Sequence, residues 1–275
     1  MDWGMKNRLS RIIQPNSGRT VMLAVDHGYF LGPTGGLEVP KRTLEPLLAY
    51  ADSLMLTRGV LRTSVLPEKA PAIVLRVSGG TSILTELSNE IITTAIEDAV
   101  RLNASAVTSS VFIGAPHEKE TIANLSHLIN EGEQNGIPVL AVTAVGKDMA
   151  RDVRYLSLAC RISAELGAHF VKTYYCEDFE RLVETCPIPV IIAGGKKIPE
   201  RDALKLAHDA VTRGAVGVDM GRNIFQSEAP AAMIQAVRQI VHQNASVEEA
   251  FEVYNSLKGT VKRSASPKFS VQEFD

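Results

Sequence analysis

The sequence predicts an α/β protein, a single-domain (β/α)₈ TIM barrel. Three observations predict it. Eight short apolar runs recur along the chain. Most are apolar on consecutive rather than alternate residues, as strands are when helices cover both faces of a parallel sheet. Stretches of helical periodicity separate them, and the 275 residues suit a barrel of roughly 250 residues. A doubly wound sheet is the alternative, but it would show fewer strands and a Gly-rich first turn.

Taken in order, the strands fall at 21–27, 53–59, 72–79, 106–114, 139–146, 169–175, 190–195 and 217–223. The spacing predicts a helix over 89–102, with Ile92, Ala95, Ile96, Ala99 and Val100 on one face. A second covers 119–133, with Ile122, Leu125, Leu128 and Ile129, and a third covers 148–166. Helices at 199–211 and 230–242 each open with proline. One more amphipathic helix, 246–257, closes the barrel domain at residue 258. The polar segment 259–275 is expected to be a flexible tail.

Composition narrows the function classes. Hydrophobic residues make up 45% of the chain, enough for an extensive core, and no Pro/Gly/Ser-rich linker divides it. A net charge of −2 without a dense basic cluster before the tail gives no argument for nucleic acid. No apolar run approaches the ~20 residues that span a bilayer, and no secretory segment opens the chain. The three cysteines lack metal-type spacing and read as reduced thiols of a cytoplasmic protein. The six histidines form no H-x-x-H pattern, so no protein-held metal is expected.

In a barrel, chemistry sits at the C-terminal strand ends. Strand six holds Lys172 within Ala168-His169-Phe170-Val171-Lys172-Thr173-Tyr174-Tyr175. Burial disfavours an ammonium, so a lysine here is costly. Two readings are open: a desolvated amine that attacks a ketone and forms a Schiff base, or a packed stem whose head reaches water.

Strands seven and eight end in Gly194-Gly195-Lys196-Lys197 and Gly221-Arg222-Asn223. Glycines with a cation in both turns point to a phosphate site at Gly194, Gly195, Gly221 and Arg222, helped by a short helix starting near Arg222. The plainer reading is two tight turns. Lys196 or Lys197 is expected to crowd Lys172 with like charge.

Asp26, ending strand one, is the candidate for proton transfer, or else a turn cap. His27 would bond substrate or orient Asp26. Arg58, Ser78 and Lys196 are possible substrate contacts. Arg58 and Arg76 read equally well as ion-pair partners of Asp26 or Asp219. Tyr174 and Tyr175 are hydrogen-bond donors or barrel packing, and Cys176 is packing.

These residues resemble a known family. Ala24-Val25-Asp26-His27-Gly28, Val171-Lys172-Thr173-Tyr174-Tyr175, Ala193-Gly194-Gly195-Lys196-Lys197 and Val218-Asp219-Met220-Gly221-Arg222-Asn223 are similar to motifs of the archaeal-type class I fructose-bisphosphate aldolase group. They occur in the right order, and the likeness runs over about residues 3–258. Met1-Asp2-Trp3-Gly4-Met5, Glu86-Leu87-Ser88-Asn89-Glu90 and Val145-Gly146-Lys147-Asp148-Met149 resemble its thiolase branch, which works in autoinducer-2 degradation.

The resemblance implies a catalytic Schiff-base-type lysine at Lys172 and phosphate binding near Gly195, Gly221 and Arg222. It implies a lysine-dependent, metal-independent acyltransferase with no bound cofactor and coenzyme A as co-substrate. The substrate would be a phosphorylated diketone, 3-hydroxy-5-phosphonooxypentane-2,4-dione, cleaved to acetyl-CoA and dihydroxyacetone phosphate. A homo-oligomer, ring-shaped, is the expected assembly. Aldolases of the group carry a proton-donating tyrosine at the end of strand five, where this chain has Ala141-Val142-Thr143-Ala144-Val145-Gly146. The departure weighs against ordinary fructose bisphosphate cleavage. Two alternatives stand: a class I aldolase for a ketose phosphate, and a non-catalytic phosphosugar-binding barrel. No coenzyme A site is visible in the sequence.

Overall fold

The computed structural model describes residues 1–146 and 149–259. Eight parallel strands close into a barrel in chain order. They are β1 (Thr20–Ala24), β2 (Ser53–Thr57), β3 (Ala72–Arg76), β4 (Ala106–Ile113), β5 (Val139–Val145), β6 (Phe170–Thr173), β7 (Val190–Ala193) and β8 (Gly217–Met220). Every expected strand is present. β8 pairs back onto β1 with Gly217 opposite Thr20. Gly217 has φ +149°, and a Cβ there would strike the Thr20 backbone, so the closing seam requires glycine.

Alternate residues along each strand feed two cores. Val21, Leu23, Leu54, Val107, Val139, Val171, Ile192 and Val218 face outward and pack under the helices. Met22, Met55, Val74, Ala106, Leu140, Phe170 and Ile191 face inward and fill the lower barrel. Ile12 joins this inner cluster from a helix, Trp3–Ile12, that stoppers the N-terminal end. The apolar floor below the barrel mouth is therefore built from methionine, valine, alanine, leucine, isoleucine and phenylalanine. At the same end Asp52 accepts from the Val21 N–H (2.7 Å), Arg238 (2.8 Å) and His242 (2.7 Å), tying β1 and β2 to the helix Pro230–Gln243.

The helices Glu118–Asn135, Val153–Glu165, Glu200–Thr212, Pro230–Gln243 and Val247–Lys258 match the periodic stretches. Ser246 and Glu249 close the last of them with reciprocal capping bonds. The expected helix over 89–102 is shorter: it runs only Ile96–Arg101. Ile91–Ile92 instead pairs antiparallel with Ser78–Gly79. The β-branched run Ile91-Ile92-Thr93-Thr94 prefers extended backbone, which explains the difference. The ribbon carries Glu90 over the end of β3, where Ser78 donates to it.

The three cysteines are free and buried. Among the described residues no helix is long and apolar enough to cross a membrane. From residue 260 onward, the expected flexible tail lies outside the described residues, as do Lys147 and Asp148.

Candidate active site

Lys172 points into the barrel from β6, directly above Phe170 on the same strand face. Its Nζ lies 2.8 Å from Asp219 Oδ2, and the side chains are 11% and 0% exposed. Asp219 comes from β8, one strand beyond the intervening β7. Burial pushes the Asp219 carboxyl up, against the pull of Lys172. A carboxyl in that state can hold a proton beside the amine. Asp219 is thus the ion-pair partner of Lys172. Lys197 is turned away into an ion pair with Glu200 at 3.0 Å. Lys196 lines the cavity.

A second charged network flanks this pair. Arg76 at the end of β3 donates from Nε to Asp26 Oδ2 at 2.9 Å and from Nη1 to Ser110 at 2.9 Å. Ser78 donates to Glu90 Oε2 at 2.6 Å, and the Tyr29 hydroxyl to Glu90 Oε1 at 2.7 Å. The Arg76 guanidinium sits 5.3 Å over the Tyr29 ring. Burial pushes the Asp26 carboxyl up, but Arg76, His27 and Lys172 outweigh it and hold the group below the usual carboxylate range. Asp26 is therefore an ionised carboxylate. The imidazole of His27, 4.0 Å from Asp26, is driven by burial down to about 4 and stays neutral at neutral pH.

The loops after β7 and β8 form the opposite side of the mouth. Gly194, Gly195, Gly221 and Arg222 line the same cavity as Lys172. Gly195 has φ +71°, a left-handed turn that glycine takes without strain. Buried Asn223 joins the two loops: its Nδ2 donates to the Gly194 carbonyl at 2.6 Å and its Oδ1 accepts from the Ile198 N–H at 2.9 Å. The helix after Gly221 is one turn, Arg222–Phe225, too short to sum a sizeable dipole at its start.

The cavity occupies about 590 Å³, within the range of small-molecule sites. It brings together Asp26, His27, Lys172, Lys196 and the four anion-loop residues. Arg58 and Ser78 do not line it: they face an adjacent smaller cavity. Arg58 instead pairs with Asp98 at 2.5 Å, because the helix it starts turns it outward. Tyr174 opens onto the main cavity under Arg151, whereas Tyr175 packs on Phe179 at 5.2 Å. Sequence reasoning gave no site role to Asp219, Glu90 or Asn223. Asp219 had a visible signal, an acid at the inward position of an otherwise apolar strand; Glu90 depends on the ribbon and had none. Among the described residues no group of three or more His, Cys, Asp and Glu side chains could hold a metal ion.

Fold and site define a (β/α)₈ barrel enzyme with a lysine–carboxylate pair and a glycine-rich rim at its C-terminal mouth. The chain belongs to the DeoC/LacD family of aldolases, whose family model matches residues 20–227. It is 56% identical over 259 residues to the 3-hydroxy-5-phosphonooxypentane-2,4-dione thiolase of Salmonella typhimurium, covering 94% of this chain and 89% of that protein. It is 55% identical over 255 residues to an uncharacterized aldolase of Pasteurella multocida, covering 92% of this chain and 88% of that protein. Among solved structures it is similar to an archaeal fructose-1,6-bisphosphate aldolase with its catalytic lysine covalently bound to the carbinolamine intermediate of the substrate. That likeness has a TM-score of 0.79 at 24% identity, over 86% of this chain and 99% of that one, and it shows the fold.

Proposed function

We propose that this enzyme is a thiolase that cleaves 3-hydroxy-5-phosphonooxypentane-2,4-dione with coenzyme A. The observation that carries the reading is the single cavity joining the Lys172–Asp219 pair to the glycine-lined loops after β7 and β8. One end grips a phosphate and the other presents an amine to a carbonyl a few bonds away.

The steps follow from the groups present. Asp219, its carboxyl raised by burial, takes a proton from Lys172. The free amine attacks the C4 carbonyl, and the same proton leaves with the hydroxyl as water, giving an iminium. The thiol gives its proton to Asp26 or neutral His27 and attacks C2. The C2–C3 bond breaks, and its electron pair flows into the iminium as an enamine. Acetyl-CoA forms. The stored proton returns to C3, and water hydrolyses the imine, releasing dihydroxyacetone phosphate and Lys172. The end of β5, lined by Val142, Ala144 and Val145, offers no phenol for an aldehyde oxygen, which favours thiolysis over aldol cleavage. No step is routed through a metal or bound cofactor. A cytoplasmic setting, supported by the three free cysteines, and a homo-oligomer belong to the same proposal.

The test is direct. Purified enzyme supplied with the phosphorylated dione and coenzyme A is expected to form acetyl-CoA and dihydroxyacetone phosphate. Rapid release of triose phosphates from fructose 1,6-bisphosphate, with no acetyl-CoA from the dione, would overturn it in favour of an aldolase.

A further inference from the structure

A second cavity of about 230 Å³ lies beside the main one on the same C-terminal face, and Tyr29 and Arg76 line both. Its remaining walls carry hydroxyls and a second guanidinium, from Thr57, Arg58, Ser78, Thr93 and Thr94, beside Gly79 and Gly80. Arg76 and Ser78 are buried, at 4% and 3% exposure. Arg76 commits Nε and Nη1 to Asp26, Ser78 and Ser110, and its Nη2 donates to none of the described residues.

Arg58 also belongs to an arginine cluster around Asp98. Arg58, at 2.5 Å, and Arg62, at 3.8 Å, both reach Asp98, and Arg101 contacts it too. Three guanidiniums against one carboxylate leave an excess of two positive charges. The resulting positive patch attracts anions to this face. Each fork is also suited to phosphate oxygens.

The proposed reaction leaves this need and this supply to be matched. The dione has one phosphate, which the loops after β7 and β8 accommodate. The acceptor is a thiol on a nucleotide that carries a diphosphate and a 3′-phosphate. We propose that the Arg58–Arg62–Arg101 cluster and its cavity bind the phosphates of the acceptor's nucleotide. The cavity has the volume for a diphosphate, and the adenosine lies over the exposed cluster. From there the thiol arm reaches the main cavity past Tyr29. The assignment rests on the thiolase reading for its ligand, while its binding test does not depend on turnover.

The experiment titrates adenosine 3′,5′-bisphosphate, and separately inorganic phosphate, into the wild type and the double variant Arg62→Ala/Arg101→Ala by calorimetry. Both side chains are exposed, at 52% and 73%, so the variant is expected to fold, as an unchanged melting curve would verify. The bisphosphate is expected to bind the wild type and to bind the variant about tenfold more weakly or worse. The KM for coenzyme A should rise by a similar factor while the KM for the dione stays put. Equal bisphosphate affinity in the two proteins would overturn the proposal. So would wild-type affinity for inorganic phosphate as high as for the bisphosphate, which would mark a free-anion site. Cluster-dependent bisphosphate binding without any acetyl-CoA formation would reject the thiolase reaction and uphold the nucleotide site.

Discussion

Lys172 Nζ and Asp219 Oδ2 lie 2.8 Å apart at the floor of the barrel mouth, on strands separated by β7. The pair sets the protonation problem of the site. Beneath it lies the apolar floor of Phe170, Leu140 and Ile191, so a proton leaving the amine has Asp219 as its nearest acceptor. Asp219→Asn keeps the shape and removes the acceptor. We expect kcat to fall by roughly 10²- to 10⁴-fold with the fold intact. Steady-state kinetics and a melting curve check this; near-normal kcat would remove Asp219 from the proton path.

The Arg76–Asp26 ion pair makes a separate prediction. Arg76 is among the cations that hold the Asp26 carboxyl low. Arg76→Lys keeps a charge but loses the fork that spans Asp26 and Ser110. The Asp26 carboxyl should then rise, moving the acid limb of the kcat/KM profile to higher pH. A limb that does not move would show that Asp26 is not the titrating base.

Much of this arrangement was legible in the sequence, for physical reasons. Strands such as 139–146 and 190–195 announce themselves because burial on both faces demands unbroken apolar runs. The strand ends then place Lys172, Asp26 and the glycines of 194, 195 and 221 on one face. The helix Trp3–Ile12 escaped notice because it buries only Met5 and Ile12, too few to write a period. Glu90 escaped because its position depends on a two-residue ribbon set by β-branched Ile91 and Ile92, inside a segment that also carries a helical pattern. Arg58 was placed at a strand end correctly, yet whether it faces substrate or Asp98 is decided by the helix that begins there.

His27 links pH to stability. Its pKa falls from 6.5 to about 4 on folding, so between these values the unfolded chain binds the extra proton. Stability from this group is intact above pH 6.5 and is lost as pH falls toward 4. The loss is on the order of 3 kcal/mol for a shift of this size. His27→Gln should flatten the slope of unfolding free energy across that window by this amount. Denaturant titrations from pH 4 to 7 measure it, and equal slopes in both proteins would contradict the buried neutral imidazole.

The anion loops respond unequally to added methyl groups. A Cβ on Gly221 would strike the Ala24 carbonyl and come within 2.5 Å of His27 Cε1 and 3.1 Å of Phe225 Cε1. Gly221→Ala should therefore cost about 1–3 kcal/mol and raise the substrate KM more than about tenfold. A Cβ on Gly195 meets nothing within 4 Å but sits at φ +71°, so Gly195→Ala should cost only about 1–2 kcal/mol of backbone strain. Melting curves and KM values for the phosphorylated substrate compare the two. An equal response would argue against the tight Gly221 contact.

The central claim is that Lys172 bonds covalently to a substrate carbonyl. Borohydride reduction in the presence of dihydroxyacetone phosphate, followed by peptide mass spectrometry, tests it most directly. The expected result is a single reduced adduct on the peptide containing Lys172, absent in Lys172→Met. An adduct on another lysine, or none while the wild type turns over, would contradict it.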